Sequence, residues 1–312
     1  MKYWFLLLAA GAGLAQQVQI LPVRGSVYML VGAGANITVS VGPEGALLVD
    51  SGTAQMSDKV IAAIQQLSDR VNSKSAPLKP IRFILNTSAD ADHAGGNEKI
   101  AAAGATFTGG NVAGNIQDAA EGAAVFAHEN VLKRLSEAHA PTRAQPTDTY
   151  LRDGLKMSHY FNGEGVQLIY APSAHTDGDS LVWFRGSDVI STGDIFSTVS
   201  YPVIDLKRGG GIEGVISGLN RILDLTFPEF RLEGGTMVVP GHGRLCDSAD
   251  VAYYRDMVTI IRDRVKDMIK KGMTLNQVKD AKLTRDYDSR YATESWTPDM
   301  FVEAVYRSLT FQ

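Results

Sequence analysis

Four apolar runs in this chain each break into a loop that carries Asp or His, and a fold must bring those four ends together. The first run, Ile81-Arg82-Phe83-Ile84-Leu85, is rich in branched residues and reads as a buried strand. It opens into Asn86-Thr87-Ser88-Ala89-Asp90-Ala91-Asp92-His93-Ala94-Gly95-Gly96-Asn97, and a helical pattern follows to about Ala103. The second run ends at Tyr170, before Ala171-Pro172-Ser173-Ala174-His175-Thr176-Asp177-Gly178-Asp179. The third enters Ser191-Thr192-Gly193-Asp194-Ile195-Phe196. The fourth, Thr236-Met237-Val238-Val239, enters Pro240-Gly241-His242-Gly243. Loops at the carboxyl ends of strands, held by a rigid sheet, are where reactive groups are displayed. An ordinary loop, with Asp as a helix cap and Gly as a turn residue, would account for any single one. Asp and His at all four ends describe one assembled site suited to a divalent metal.

The rest of the chain frames those loops. Short strands are expected at 18–23, 26–31, 36–41 and 46–50, separated by Gly-bearing turns, the pattern of an antiparallel meander. Val60, Ile61, Ile64 and Leu67 recur at helical spacing over 54–72. Residues 105–125 are rich in Gly, Ala and Asn and fit no period; within them 108–125 suit a mobile lid over the site or an insertion. A helix is expected over 127–138, an exposed loop over 140–147, strands at 156–162, 166–171, 180–185 and 187–191, and a helix over 211–225. From about 247 the chain reads as helical to its end. Strands and helix, repeated, with a helical tail, are satisfied by two sheets packed face to face and covered by helices on both outsides.

Composition narrows the function. The 312 residues carry a net charge of -4, which supplies no basic stripe for nucleic acid. Residues 1–15 carry one Lys, a short apolar run and a small residue before Gln16-Gln17, the layout of a secretory signal peptide. Export to a periplasm or the exterior is expected, with cleavage after Ala15, no membrane association of the mature form, and one domain over 18–312. The single cysteine, Cys246, forms no intrachain disulfide and reads as a small buried residue. His128, His139 and His159 sit outside the four loops and are expected at the surface or as caps.

The four loops, with Asp50-Ser51-Gly52 and Gly95-Gly96-Asn97, resemble the metallo-β-lactamase-fold hydrolases, whose pattern is His-x-His-x-Asp-His, then His, then Asp in Gly-Asp, then His in Gly-His. The resemblance runs from about residue 18 to residue 312. It implies an α/β fold, the αββα four-layer sandwich, here with extra C-terminal helices, and a metal site at one edge of the sheets. Asp92, His93, Asp194 and His242 match one metal site, with Asp194 bridging, and His175 matches a ligand of the other. The departure is Ser88 and Asp90, where the family has His. Serine is a poor zinc ligand, and Asp90 favours harder metals. One ion, a mixed pair using Asp90 and His175, and a degenerate centre all stay open. The resemblance implies Zn2+, one or two ions, with Mn or Fe as alternatives. It also implies a carbonyl-directed hydrolase for a small-molecule amide, lactam, lactone or ester, β-lactamase-like, acting through a metal-bound hydroxide. In a one-metal scheme His175 is the general base and Asp92 orients the water, as the mono-zinc subclass suggests. Ser200 or Tyr201 is a candidate donor to the substrate carbonyl. The alternatives are a non-catalytic binding protein on the same fold and an iron-dependent redox member.

Overall fold

The computed structural model describes residues 17–72, 79–105, 122–157, 160–226 and 234–310. The signal-peptide reading of 1–15 and His159 lie outside these, as does most of the expected lid. Strands β1 (Gln19–Arg24), β2 (Val27–Ala33), β3 (Ala35–Gly42) and β4 (Gly45–Val49) form the expected antiparallel meander. Helix α1 (Ser57–Val71) crosses over to β5 (Ile81–Leu85), which pairs parallel to β4. Next come α2 (Asn97–Ala102), β6 (Ala124–His128), α3 (Glu129–Glu137) and β7 (Asp148–Tyr150), completing a seven-stranded sheet. The second sheet is built from β8 (Gly154–Lys156), β9 (Val166–Tyr170), β10 (Ser180–Phe184), β11 (Val189–Ser191) and, after α4 (Ile212–Leu225), β12 (Met237–Val239). Its order is β12-β11-β10-β9-β8, with β11 and β12 parallel. Helices α5 (Ser248–Lys270), α6 (Leu275–Asp280), α7 (Asp288–Tyr291) and α8 (Pro298–Thr310) end the chain.

Alternation along the central strands sets the layers. Leu47 and Val49 of β4 point to the second sheet and join Leu85, Leu168, Val182, Phe184 and Val239. Leu48, between them, points the other way, to Val60, Ile64 and Leu67 of α1. Both faces of β4 are therefore buried, which is why it reads as an unbroken apolar run. The outer face of the second sheet packs through Leu181 and Ile190 on α4, α5 and α8, with Leu219, Ile222, Val258, Ile261 and Phe301 at the centre. The result is the four-layer order of helix, sheet, sheet, helix, with the C-terminal helices on the second sheet. No helix among the described residues is long and apolar enough to cross a membrane.

Four local expectations are corrected. The helix expected from Ala127 begins at Glu129, because 124–128 pairs parallel to β5 as β6. His128 ends that strand and its Nδ1 accepts from Asn130 N, a cap of the helix that follows. It is buried rather than at the surface, stacked on Tyr170 with ring centroids 3.9 Å apart. The loop 140–147 contains a buried Ala144 in a short 3-10 turn, and the described residues of 156–162 hold the end of β8 and, at Phe161, an isolated bridge to Glu164. His139 is exposed and Cys246 buried, as the sequence suggested.

Candidate metal centre

The loop after β5 is shaped by its own backbone. Asp90 O accepts from His93 N and Ala94 N, at 3.0 and 2.8 Å, which folds the chain into a turn. Side chains of Asn86 and Asn97 exchange two hydrogen bonds, 3.1 and 2.7 Å, and tie the loop's ends together. A Cβ at Gly95 or Gly96 would run into the carbonyl oxygens of Ala91 and Ser51, so only glycine lets this loop seat against the end of β4. The His242 loop is anchored from the other sheet, since Asn36 Nδ2 donates to Pro240 O and Gly243 O at 2.9 and 3.0 Å. His175 follows β9, and its Nδ1 donates to Val203 O at 2.8 Å, leaving Nε2 facing the site. Asp194 lies in the 3-10 turn Gly193–Ile195 after β11.

All six residues singled out in the sequence meet there, in two groups. In each, ligand atoms lie within 4.8 Å of one another: Asp92, His93 and His242 in one, Asp90, His175 and Asp194 in the other. Asp194 touches both. Its Oδ1 is 3.2 Å from His93 Nε2 and 3.3 Å from His242 Nε2, and its Oδ2 is 3.9 Å from His175 Nε2. His242 Nε2 is also 3.2 Å from Asp92 Oδ2. His93 is fully buried, and its Nδ1 is bonded to Asp50 Oδ2 at 2.7 Å. His93 Nε2 is close to Asp194 but out of line for a hydrogen bond, and it has no hydrogen-bond partner.

The charges of these groups reshape one another. Burial works against the charge on Asp194, but the imidazoles of His93, His242 and His175 outweigh it and hold the carboxyl well below its usual range. Burial likewise opposes protonation of His242, while Asp194 and Asp92 lift it to about 9. The hydrogen bond to His242 holds Asp92 low. Burial would raise Asp90; His175 and Arg208 bring it down to about 2. In the metal-free chain the His242 pairing stabilises the fold fully below pH 6.5, and that contribution is lost as pH rises through about 9. Ligation needs the unprotonated imidazole, so zinc affinity is expected to tighten as pH is raised from about 6 to about 9. A competition titration with a chromophoric chelator measures this; a flat profile would remove His242 from the ligand set.

Do these residues fit a metal? An unpaired buried nitrogen costs about 1–3 kcal/mol. His93 Nε2 would lose that penalty by donating its lone pair to a cation. Its Nδ1–H to Asp50 fixes the tautomer, as the second ring nitrogen of a ligating His usually requires. Two imidazoles and two carboxylates suit zinc. The fit holds.

The structure corrects Tyr201: it is fully buried, stacked on Phe301, and its hydroxyl faces Asp288 Oδ1 at 2.9 Å and Thr284 O at 3.2 Å. It packs the C-terminal helices and does not present a donor. Ser200 does border the cavity beside the centre, of about 420 Å³, together with Arg208 and Trp296. Arg208 and the Thr293–Trp296 segment carried no sequence signal. Asp50 was visible only as part of an Asp-Ser-Gly motif, not as the anchor of His93.

Residues 30–242 match the model of the metallo-beta-lactamase superfamily. No curated protein matches the chain. Among solved structures it is similar to the DIM-1 metallo-beta-lactamase, at 14% identity over 78% of this chain and 97% of that one, TM-score 0.55. It is similar to the metallo-beta-lactamase from Pontibacter korlensis, at 15% identity over 78% and 99%, TM-score 0.54. It is also similar to the stereoselective inverting sec-alkylsulfatase Pisa1 from Pseudomonas sp., at 16% identity over 93% of this chain but only 50% of that one, TM-score 0.62. At these identities the structural likenesses establish the fold. With the matched motif loops and the two ligand groups at the sheet edge, the chain belongs to the metallo-beta-lactamase superfamily.

Proposed function

We propose that this chain is an exported, metal-dependent hydrolase of a small molecule bearing an amide, lactam, lactone or ester carbonyl. The observation that carries the reading is the buried His93 Nε2, 3.2 Å from Asp194 Oδ1 and without a hydrogen bond, aimed into the space that Asp92, Asp194 and His242 enclose. Those four residues would hold the ion, with Zn2+ favoured by two nitrogen donors and Mn or Fe as alternatives. When bound, such an ion lowers the pKa of a water toward ~7 and polarises a carbonyl oxygen. The residues supply the rest. His175 Nε2 and Asp90 Oδ2, 2.6 Å apart on the cavity wall, hold a proton between them. Against burial, Asp90 and Asp194 lift His175 to about 9. At neutral pH it is therefore placed to give that proton as a general acid, and it takes the part of a general base only once the proton has left. Asp92 borders the same cavity and can orient a water by accepting its hydrogen bond. Trp296, whose indole N–H donates to Pro202 O at 3.2 Å, closes an apolar side of the cavity. Export rests on the N-terminal fifteen residues.

The test is elemental analysis of the purified mature chain, followed by a panel of nitrocefin, lactones and aryl esters with and without zinc, manganese or iron. The likeness to an alkylsulfatase adds sulfate esters to that panel. Bound metal, and hydrolysis lost on chelation and restored by the metal, is the expected result. A metal-free chain that hydrolyses nothing would favour a binding protein on the same fold.

A further inference from the structure

We propose that Arg208 is a fixed cation standing in for one of two metal ions, so that the chain holds a single divalent ion, at Asp92, His93, Asp194 and His242. The proposal rests on the metal-centre reading above. Where the motif places two imidazoles, this chain has Ser88 and Asp90. The first change removes a ligand; the second replaces a neutral ligand by a negative charge. The structure supplies what meets that charge. Arg208 Nη2 lies 2.6 Å from Asp90 Oδ1, and Arg208 Nε donates to Asp205 Oδ2 at 2.7 Å. Asp205 is itself fixed, accepting from Lys207 N and Arg208 N at 3.0 Å each.

The backbone that carries Arg208 is tied to the same loop that presents His175. Asp177 N donates to Arg208 O at 2.8 Å, and Asp205 N donates to His175 O at 2.9 Å. Gly209, at φ +79°, reverses the chain directly after Arg208, and a Cβ there would press on the Asp177 side chain. Arg208 is thus held by two carboxylates and a packed turn, not waving from the surface.

The two ligand groups consequently differ. In the Asp90, His175 and Asp194 group the donor atoms of Asp90 are taken: Oδ1 by Arg208, and Oδ2 by His175 Nε2 at 2.6 Å and Ser88 Oγ at 3.3 Å. Ser88 is buried with its hydroxyl turned to Asp90. In the other group His93 Nε2 is left without a hydrogen-bond partner. An ion entering beside Asp90 would have to break the pair with Arg208 and then sit against a like charge in a partly buried site, where screening is weak. An ion entering beside His93 meets no guanidinium, and the contacts it replaces, His242 Nε2 to Asp92 Oδ2 and Asp194 Oδ1 at 3.2 and 3.3 Å, are between residues that would become its own ligands.

The experiment counts zinc ions per chain in the full-length mature protein, by calorimetric titration and by elemental analysis after dialysis, with the d–d spectrum of the cobalt-loaded protein as a second readout. The wild type is expected to take one ion and Arg208→Ala two, the additional cobalt ion adding its own absorption. Arg208→Lys, which keeps the charge, is expected to stay at one. Should Arg208→Ala fold poorly, Ser88→His with Asp90→His, which restores the motif's imidazoles, is the second route to two ions. Two ions in the wild type, or one in both Arg208→Ala and the Ser88/Asp90 double variant when folded, would overturn the proposal and leave the metal-centre reading standing. No ion in the wild type would overturn both.

Discussion

Asp194→Ala is expected to abolish metal uptake and turnover together. Asp194 is the one carboxylate within reach of His93, His242 and His175, at 3.2, 3.3 and 3.9 Å. It is also the group whose charge the surrounding imidazoles favour most, since they hold its carboxyl far down against the effect of burial. Removing it takes a negative ligand from the centre and leaves three imidazoles facing one another. Loss of an outer partner of a metal ligand already costs about 10–100-fold in affinity. Loss of a direct ligand should exceed about a hundredfold on that scale. The metal-free fold should weaken as well, by about 3–5 kcal/mol, because one side of a buried ion-pair cluster is deleted. Zinc titration and urea unfolding of the chelator-treated protein measure the two effects. Normal zinc affinity in Asp194→Ala would mean that the cation sits elsewhere.

Much of this was legible because the ligands follow apolar runs that only a buried strand explains. Leu85 ends β5 and Val239 ends β12, both fully buried, and the loops behind them carry Asp92, His93 and His242. Burial on both faces of β4 is likewise written in Leu47 and Leu48. What stayed hidden depends on partners distant in sequence. Nothing in the spacing of Asp90 and Arg208, 118 positions apart, announces a pair; the only clue is that a carboxylate at a position of imidazoles needs a cation. Tyr201 lies next to the Asp194 loop in sequence, yet its hydroxyl goes to Asp288, because the C-terminal helices fold back onto that side of the sheet. The Thr293–Trp296 segment reaches the cavity by the same return. The start of α3 was misplaced because Ala-Val-Phe-Ala-His is as compatible with a helix as with a strand by composition, and pairing with β5 decides it.

Asp50→Ala is expected to be the most damaging change at a residue that touches no ion. Asp50 sits just past β4 with φ at 67°, a conformation that Asp tolerates and Ala resists. Its two carboxylate oxygens serve three buried donors: Thr87 N at 2.8 Å on Oδ1, and Thr87 Oγ1 and His93 Nδ1, both at 2.7 Å, on Oδ2. Alanine would strand those donors in a region where Asp50, Thr87 and His93 are all at most 1% exposed. At about 1–3 kcal/mol for each unsatisfied group, with the Thr87 hydroxyl free to turn elsewhere, the loss should reach about 3–5 kcal/mol. Asp50→Asn separates the fold from the centre. It keeps the shape and one acceptor but removes the charge that orients His93 and makes its far nitrogen a better donor. Its stability should fall less than that of the alanine variant, while zinc affinity drops about 10–100-fold. Unfolding in urea with and without zinc distinguishes the two: zinc should stabilise the wild type strongly, and the asparagine variant weakly at the same free concentration. Equal zinc stabilisation in wild type and Asp50→Asn would show that Asp50 serves the fold alone, and that the orientation of His93 is set by the Asp90–Ala94 turn instead.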